Sequence, residues 1–397
     1  MITRRKIHTI QGEFLLAIQA AFRQNKQFPI DIAKWEEEFA RFIGIRHAIA
    51  VASGRKGMEL ILRSLRLARG DEVIIPAYTL KDLIGVIQSI GLTPVLADIN
   101  PETFNIDPNS IAERITRRTR VILATHLFGV SCQIDKIIEI AKNKSIFVIE
   151  DCAHSLGSEY NGRKTGSFGH ASFFSLDTIK PVNTYGGGMV ATDDEELAQN
   201  VREVNNSSWV SSKVPFKKII SAYLENYFLP SPLSFPVLYL FTSQQWGKKM
   251  FNLYKKIQKL SAANSRFTDL QAFIGLGKLK TLKERITKRQ TQARLLKSLL
   301  SRRIMPQKIS DAMSPNYYFF VALIPNDIHR VRKFLLFHGI DAGIGAEIAD
   351  DCAGYLRQTN CPNATQVFRH AIHLPLHEGL SPYHIRYIAR VLERAVK

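Results

Sequence analysis

The sequence predicts an α/β protein whose large domain has a mostly parallel sheet. Between residues 46 and 207, short β-rich runs alternate with helical segments such as 58–67 and 133–142, and several runs are continuously apolar. Strands that helices cover on both faces have this composition, and repeated strand–helix–strand units favour parallel pairing. The runs predict a seven-stranded sheet with strands at 48–51, 72–75, 94–97, 120–124, 146–149, 171–175 and 189–191.

The remaining segments predict the domain organisation. Residues 1–45 are helical and lack a core of their own, so we expect them to pack on a smaller C-terminal α+β domain. That domain has a strand pattern at 318–323 and helical patterns at 328–338 and 383–396. The expected division is an N-terminal segment 1–45, a large domain 46–207, an aromatic and basic insertion 208–263, an interdomain helical region 264–304 and a small domain 305–397.

The charge of the chain is concentrated in one region. Lysine and arginine give a net charge of +19 over 397 residues, and residues 201–300 hold 18 basic residues against 4 acidic ones. Such a block suggests an anionic partner, which is a membrane surface, a phosphorylated substrate or a nucleic acid. No nucleic-acid recognition fold accompanies the charge, so we expect no nucleic-acid partner.

The cysteines and the N-terminus predict a cytoplasmic protein without a metal site. Cys132, Cys152, Cys352 and Cys361 lack metal-ligand spacing, and free thiols in a reducing compartment are the expected state. Residues 1–7 lack the apolar core of a signal peptide, and no run of about 18 apolar residues predicts a spanning helix.

Lys180 is the first candidate for chemistry. It follows a buried strand and precedes Gly186-Gly187-Gly188. A partly desolvated lysine has a lowered pKa, which frees its amine to react with an aldehyde. The alternative is an ordinary surface lysine.

Asp151 is the second candidate, because it ends the apolar run 146–149. The carboxyl ends of parallel strands form the crevice where ligands of α/β proteins bind. There the carboxylate could pair with a protonated pyridine nitrogen and make a bound cofactor an effective electron sink. The alternative role is the N-cap of a following helix.

Two further sequence features, together with Lys180 and Asp151, occur in the chain order that a pyridoxal phosphate (PLP) site requires. The segment Ser53-Gly54-Arg55-Lys56-Gly57 lies between a strand and a helix, where backbone N–H groups can hold a phosphate. A purely structural helix start is the alternative, since the segment is neither a Walker motif nor a dinucleotide fingerprint. Asn264-Ser265-Arg266 marks the return to regular structure after the insertion.

Over nearly its whole length the sequence resembles the DegT/StrS family of PLP-dependent sugar aminotransferases, which have fold type I. The likeness includes the interval from Asp151 to Lys180 and the Ser53-Gly54 turn. The motifs that carry it are GDEVIIPAYT at 70–79, FNID at 104–107, HLFG at 126–129, VIEDCAH at 148–154, NGRKTGSFG at 161–169, NSRFTDLQA at 264–272 and LPLHEG at 374–379.

The resemblance implies a role for each matching residue. Lys180 would bind the cofactor covalently and shuttle protons, and Asp151 would hold the pyridine nitrogen. Ala153 would lie against a ring face, and His154 would lie near the ring hydroxyl. The implied phosphate ligands are Ser53, Gly54, Arg55 and Ser175, together with Asn264 and Arg266 from the second subunit of an obligate homodimer.

The segment near Gly343 lacks the histidine that is usual in the family on the substrate side, and three positions of the cofactor site also depart from the family pattern. Arg55 stands where a threonine is usual, so it binds phosphate more strongly or points elsewhere. Leu80 occupies the place of the stacking aromatic, which leaves Tyr78 as the candidate for that contact. Gly186 replaces an acidic residue before the glycine pair.

By resemblance, the implied reaction moves an amino group from glutamate or glutamine to a keto-sugar, which we expect to be nucleotide-linked, for a surface polysaccharide or glycoside. Two alternatives stay open. One is a PLP-dependent sugar dehydratase, against which Lys180 argues, because those relatives commonly carry histidine there. The other is a regulatory or scaffold relative that binds PLP or sugar.

The insertion 208–263 carries its own prediction. Lysines flank a stretch that contains aromatic residues but no charge, and this combination is typical of contact with an anionic membrane surface. The expected place is then the cytoplasmic face of the membrane. Packing on the partner subunit and covering of the active site are the alternatives. Pro230, Pro232 and Pro236 prevent one continuous helix through the stretch.

Overall fold

The computed structural model describes residues 1–22, 31–142, 144–207, 215–242, 266–358 and 360–397. At its centre is a seven-stranded sheet with the order β1-β10-β9-β6-β5-β2-β4. All seven predicted strands coincide with strands of this sheet. The strands of the protein are β1 (His47–Val51), β2 (Glu72–Pro76), β3 (Tyr78–Thr79), β4 (Thr93–Ala97), β5 (Thr119–Thr125), β6 (Phe147–Asp151), β7 (Glu159–Tyr160), β8 (Arg163–Lys164), β9 (Ala171–Ser175), β10 (Gly188–Thr192), β11 (Met305–Pro306), β12 (Met313–Ser314), β13 (Phe320–Leu323), β14 (Gly343–Ile344), β15 (Asp350–Asp351) and β16 (Ala371–Leu374).

Helices lie on both faces of this sheet. Adjacent residues of β5 show this, because Leu123 is buried in one core with Met58 and Ile122 in another with Ile137. The helices are α1 (Glu13–Phe22), α2 (Ile32–Ile43), α3 (Gly54–Ser64), α4 (Lys81–Ser89), α5 (Pro108–Arg114), α6 (Ile134–Lys142), α7 (Glu195–Asn206), α8 (Phe216–Phe228), α9 (Phe235–Thr242), α10 (Asp269–Lys280), α11 (Leu282–Leu299), α12 (Ile328–Phe337), α13 (Gly345–Ile348), α14 (Cys352–Leu356), α15 (Pro362–His370) and α16 (Pro382–Val396).

The sheet is mostly parallel, as predicted. Strands β9, β6, β5, β2 and β4 run parallel, whereas β10 pairs antiparallel with both β9 and β1. A second sheet, β11-β13-β16-β14, is antiparallel and forms the smaller α+β unit. Its core contains Leu335, Ile372 and Ile388, all fully buried. The predicted fold class is therefore confirmed, while the domain bounds stay a prediction.

The N-terminal segment divides between the two units. Ile2 forms a β-bridge with Ile340, which ties the first residues to the small unit. Helix α2 instead packs on the large sheet, where Trp35 donates a hydrogen bond to the Met189 sulfur at 3.0 Å. The expectation that all of residues 1–45 pack on the small domain is therefore wrong for α2. Its apolar stripe fits the sheet face next to β10, a long-range contact that no local pattern indicates.

The insertion is only partly described, and residues 208–214 and 243–265 lie outside the described part. Within it, α8 ends before the prolines, a short 3-10 turn covers Pro232–Ser234, and α9 follows. Among the described residues, no helix has the length and apolar character that crossing a bilayer requires. All four cysteines are buried and outside any disulfide.

Candidate active site

The carboxyl ends of three neighbouring strands form one edge of the sheet, and the candidate residues lie there. Thr125 ends β5 and is paired in register with Asp151, which ends β6. Ser175 ends the adjacent strand β9. Because paired residues of parallel strands point to the same face, Thr125 and Asp151 present their side chains on one side of the sheet.

Lys180 lies in the turn that follows β9. Its backbone N–H donates to the Asp177 carbonyl at 2.9 Å, and its Nζ lies 4.7 Å from the centre of the Tyr318 ring. Burial lowers the pKa of Lys180 to about 8, and the carboxylates of Asp151 and Asp177 oppose that shift. A larger fraction of its amine is therefore uncharged at neutral pH than in an ordinary lysine.

Asp151 is 7% exposed, and its Oδ1 accepts a hydrogen bond from the Ala153 N–H at 3.0 Å. Burial raises the pKa of Asp151, although the Ala153 N–H and the charge of Lys180 act in the opposite direction. Turns rather than a helix follow it, so Asp151 is not a helix N-cap. A buried carboxylate in this position favours a cationic ligand, because the cation would lower the free energy of the ionised form.

His154 lies beside Lys180 and is neutral at physiological pH. Burial and the charge of Lys180 hold its pKa well below the usual value. Its ring stacks on Tyr318 with 4.5 Å between the ring centres. Its Nδ1 accepts from the Phe128 N–H at 3.4 Å, so the proton of the neutral ring lies on Nε2, which can donate to an anionic oxygen.

The Ser53 segment begins α3 next to the end of β9. Ser53 caps the helix, since its Oγ accepts from the Lys56 N–H at 3.1 Å. A Cβ on Gly54 would lie 3.2 Å from the Ser175 Cβ, and a Cβ on Gly188 would lie 2.6 Å from the Gly54 nitrogen. A side chain is therefore excluded at Gly188 and would be tight at Gly54, and the first N–H groups of α3 lack partners within the helix.

Two candidates have other contacts in the structure. The Arg55 guanidinium forms an ion pair with Asp82 of α4. Tyr78 is fully buried, with its hydroxyl donating to the Gly345 carbonyl at 3.3 Å and its ring edge-on to Phe128. The backbone N–H of Arg55 and the ring of Tyr78 stay candidates for cofactor contact, while the Arg55 side chain points toward α4.

The structure does not bring all the candidates together. Asn264 lies outside the described residues, and Arg266 is exposed at the start of the segment that leads into α10. The proposed contribution of these two residues to the phosphate of a second subunit stays a prediction.

Sequence reasoning missed Tyr318, which covers both Lys180 and His154. The neighbouring Asn316 holds it there, because its Nδ2 donates to the carbonyls of His154 and Leu156, both at 3.0 Å. Gly129, with φ of 91°, is required beside Asn316, since a Cβ there would collide with the amide oxygen. The sequence offered no signal for Tyr318, which lies in a different unit from Lys180.

A second missed group is Lys218 of α8. It is 7% exposed, and its Nζ donates to Asp177 Oδ1 at 2.8 Å. Burial would raise the pKa of Asp177, but the ion pair with Lys218 holds that pKa below its usual value. A Cβ on Gly186 would lie 4.0 Å from the Lys218 Nζ, so the insertion contributes a cation where the family pattern has an acid.

Below this edge of the sheet lies a buried set of potential metal ligands, His126, Glu150 and Cys152. His126 Nε2 and Glu150 Oε2 are 2.9 Å apart, and the Cys132 N–H donates to His126 Nδ1 at 3.1 Å. Glu150 also accepts from the backbone N–H groups of Gly166, Phe168 and Gly169. These partners occupy the ligand atoms of His126 and Glu150, so the set serves as a hydrogen-bond network that supports Asp151.

Comparison with known proteins identifies the family. The model of the DegT/DnrJ/EryC1/StrS aminotransferase family matches residues 23–393. GDP-perosamine synthase of Caulobacter vibrioides is 39% identical over 171 residues, which are 43% of this chain and 46% of that protein. The spore coat polysaccharide biosynthesis protein SpsC of Bacillus subtilis is 41% identical over 171 residues, 43% of this chain and 44% of that protein. The aligned region thus spans less than half the length of these relatives.

Solved structures agree in fold. A putative sugar aminotransferase of Streptococcus pneumoniae in its PMP form has a TM-score of 0.78 at 21% identity, covering 99% of this chain and 98% of that one. The aminotransferase PseC of Helicobacter pylori, involved in the biosynthesis of pseudoaminic acid, has a TM-score of 0.75 at 21% identity, with 98% of both chains covered. The fold, the ordered motifs and the family match lead to one conclusion: the chain belongs to the DegT/DnrJ/EryC1/StrS aminotransferase family.

Proposed function

We propose that this protein is a PLP-dependent sugar aminotransferase. One observation carries the proposal beyond family membership. Lys180, with its lowered pKa, and the buried Asp151 lie close enough for the charge of each to shift the pKa of the other. A reactive amine and a carboxylate at one sheet edge are the two groups that a pyridine aldehyde cofactor requires.

The local structure fits PLP. Asp151 is suited to a pyridinium nitrogen, and Nε2 of His154 is suited to the ring oxygen. The Thr125 hydroxyl on the same face of the sheet is buried and lacks a hydrogen-bond partner among the described residues, which leaves a donor for a ligand. The start of α3 at Gly54, next to Ser175, is suited to a phosphate. Bound PLP would act as an electron sink and as the carrier of the amino group.

The protein's own residues would control binding and proton transfer. Lys180 Nζ would act as the base that takes the proton from the donor's Cα and delivers it to the bound cofactor. Asp151 would hold the pyridine nitrogen, whose positive charge would favour the ionised carboxylate. His154 and Tyr318 form an aromatic wall beside Lys180, which orients the ring and limits the access of water.

We infer further that the amino donor is glutamate or glutamine and that the acceptor is a nucleotide-linked keto-sugar, in a homodimer. The names of the relatives, a GDP-perosamine synthase and a dTDP-sugar transaminase of Aneurinibacillus thermoaerophilus, support the sugar class. The basic surplus of residues 201–300 supports a diphosphate group. SpsC supports a polysaccharide end product by its name.

The test is a two-step assay. Purified protein with PLP should lose its cofactor absorbance when glutamate or glutamine is added. A panel of nucleotide keto-sugars with ¹⁵N-labelled donor should then give a labelled amino-sugar by mass spectrometry. Lys180→Ala should lower turnover by about 100- to 10,000-fold or more, since it removes the general base. The exposed Lys280→Ala serves as the control and should leave turnover unchanged.

Each alternative gives a different result. Loss of a sugar hydroxyl without ¹⁵N incorporation would indicate a dehydratase. Bound PLP whose absorbance no donor or sugar changes would indicate a regulatory or scaffold relative. Full turnover by Lys180→Ala would refute the proposed mechanism.

A further inference from the structure

The segment from α8 to α9 carries large apolar side chains that no other part of the described structure covers. On α8 the exposed positions Lys217, Ser221, Leu224 and Phe228 follow helical spacing, so they lie on one face. The opposite face, with Ile219 and Ala222, is buried against α1 in a core with Ile7. The outward face therefore contributes nothing to the described core, although it carries large apolar side chains.

Helix α9 extends this surface. It is eight residues long, consists of apolar residues except for Thr242, and buries only Leu238. Leu233 in the preceding turn is 77% exposed, and Tyr227 at the end of α8 is 79% exposed. We call this the hairpin surface, and its members are Leu224, Tyr227, Phe228, Leu233, Val237 and Leu240.

Hydrogen bonds and ring contacts attach the hairpin surface to the rest of the protein. Asn226 exchanges two hydrogen bonds with the backbone of Ile7, at 2.8 and 3.0 Å. Tyr239 packs on Phe337 of α12 with 5.8 Å between the ring centres, and the Phe337 side chain is itself 59% exposed. The exposed apolar side chains thus belong to elements that are packed on the rest of the protein, and a cluster of large exposed apolar residues is typical of an interaction site.

Two lysines of the described residues lie next to the hairpin surface. Residues 226–242 contain no charged side chain, while Lys217 lies at one end of the exposed face of α8 and Lys333 lies 5.1 Å from the Tyr239 ring. The sequence that follows α9, residues 243–265, contains five lysines and no acid. Glu225, the acid of α8, is neutralised by Arg5 at 2.8 Å.

This charge distribution favours an anionic partner over a second copy of the chain. If a second copy docked through the same face, a two-fold interface would bring two basic rims together, and like charges oppose such contact. An anionic lipid surface has the complementary charge, and its headgroup boundary accepts exposed aromatic and aliphatic side chains. We propose that the hairpin surface docks this protein onto an anionic bilayer surface as a peripheral contact.

Vesicle flotation of the PLP-loaded full chain tests the proposal. The protein should float with vesicles that contain phosphatidylglycerol, and both higher salt and pure phosphatidylcholine should reduce the bound fraction. The triple variant Leu224→Ser, Tyr227→Ser, Leu240→Ser should reduce the apparent affinity by at least about tenfold. Lys217→Ser alone should reduce it about fivefold, as expected for one lysine near an anionic surface.

A matched control lies elsewhere on the surface. Tyr383 is 71% exposed on α16, so Tyr383→Ser removes a comparable aromatic and should float like the wild type. A second readout is direct contact with the lipid. Tryptophan introduced by Tyr227→Trp should be quenched by brominated phosphatidylglycerol, whereas tryptophan introduced by Tyr383→Trp should not.

Several outcomes would overturn the proposal. These are no flotation of the wild type with anionic vesicles, equal flotation of the triple variant, and binding that ignores both lipid charge and salt. A triple variant that changes the molar mass in sedimentation without affecting flotation would assign the surface to a second copy. Normal PLP absorbance and donor-dependent bleaching in every variant would show that the fold and the proposed activity are intact. The membrane proposal and the proposed activity can therefore fail independently of each other.

Discussion

Lys180 is connected to the insertion through one charged neighbour, Asp177. Lys180 is next to Asp177, Asp177 is bound by Lys218, and Lys218 comes from the insertion rather than from the large domain. Asp177 raises the pKa of Lys180, so a cation that pairs with Asp177 weakens this effect. Burial brings the pKa of Lys180 to about 8 against the opposing charges of Asp151 and Asp177.

Replacing Asp177 and replacing Lys218 should shift the pKa of Lys180 in opposite directions. Asp177→Asn removes a negative charge and should lower the pKa of Lys180 by roughly one unit. Lys218→Met removes the compensating cation and should raise that pKa. The measurement is the pH dependence of PLP capture by the apoenzyme, which should rise with pH through a midpoint near 8 in the wild type.

Lys217→Met is the matched control, because Lys217 lies on the exposed face of the same helix. Its midpoint should equal that of the wild type. Shifts of the same sign in Asp177→Asn and Lys218→Met would contradict the proposed role of the pair.

At the scale of elements, a buried ion pair joins three segments behind the glycine-rich turn. Lys278 of α10 donates to Glu13 of α1 at 3.0 Å and to the Asn183 side chain at 2.8 Å, and both charged side chains are fully buried. The Tyr185 hydroxyl also donates to Glu13. Since Asn183 and Tyr185 belong to the chain between Lys180 and β10, the network holds that turn against α1 and α10.

Breaking this pair should destabilise the protein strongly. Glu13→Gln leaves the buried Lys278 cation without its partner, which costs roughly 3–5 kcal/mol and should lower the thermal midpoint. Glu37→Gln, in an exposed ion pair with Lys34 and Arg41, is the control and should change little. An equal effect of the two variants would show that the buried pair has no special role.

The pH dependence of this effect has a definite sign. Burial lowers the pKa of Lys278 to about 8, below the value of an ordinary lysine in the unfolded chain. The folded state therefore binds fewer protons, and the contribution of Lys278 to stability should rise between about pH 8 and about pH 10.5. In Glu13→Gln the loss should be greatest at neutral pH.

For the whole molecule, the proposed site would be complete only in a homodimer, because Asn264 and Arg266 are expected to reach the phosphate of the partner. Complementation tests this. Lys180→Ala and Arg266→Ala should each be inactive or weakly active alone. Mixed after reversible dissociation, they should recover about a quarter of wild-type activity, since half of the dimers are mixed and each mixed dimer has one intact site.

The control mixes Lys180→Ala with Asp151→Ala. Both residues belong to the same subunit's half of the site, so a mixed dimer of these variants should have no complete site and no recovery beyond the parents. Recovery in neither mixture would place Arg266 in its own subunit's site or outside any site.

Elements that depend on local pattern were predictable. Strands β5 and β6 are covered on both faces, and the continuous apolar run that indicates this is visible within a few residues. The turn at Ser53 and the position of Asp151 at a strand end follow from the same reasoning, because capping residues and strand ends are local signals. Helix α2 was misplaced, since which of two apolar surfaces buries Trp35 depends on contacts with Met189 and β10.

By itself, the sequence determined the class of fold and the order of the strands along the chain, and it predicted the pair Lys180 and Asp151, because apolar patterning and motif order are encoded locally. Only the tertiary structure decided which distant groups surround that pair. Tyr318 and Lys218 reach Lys180 and Asp177 from other elements. Their electrostatic and aromatic contacts depend on distances of a few ångströms, which chain folding sets and sequence separation does not reveal.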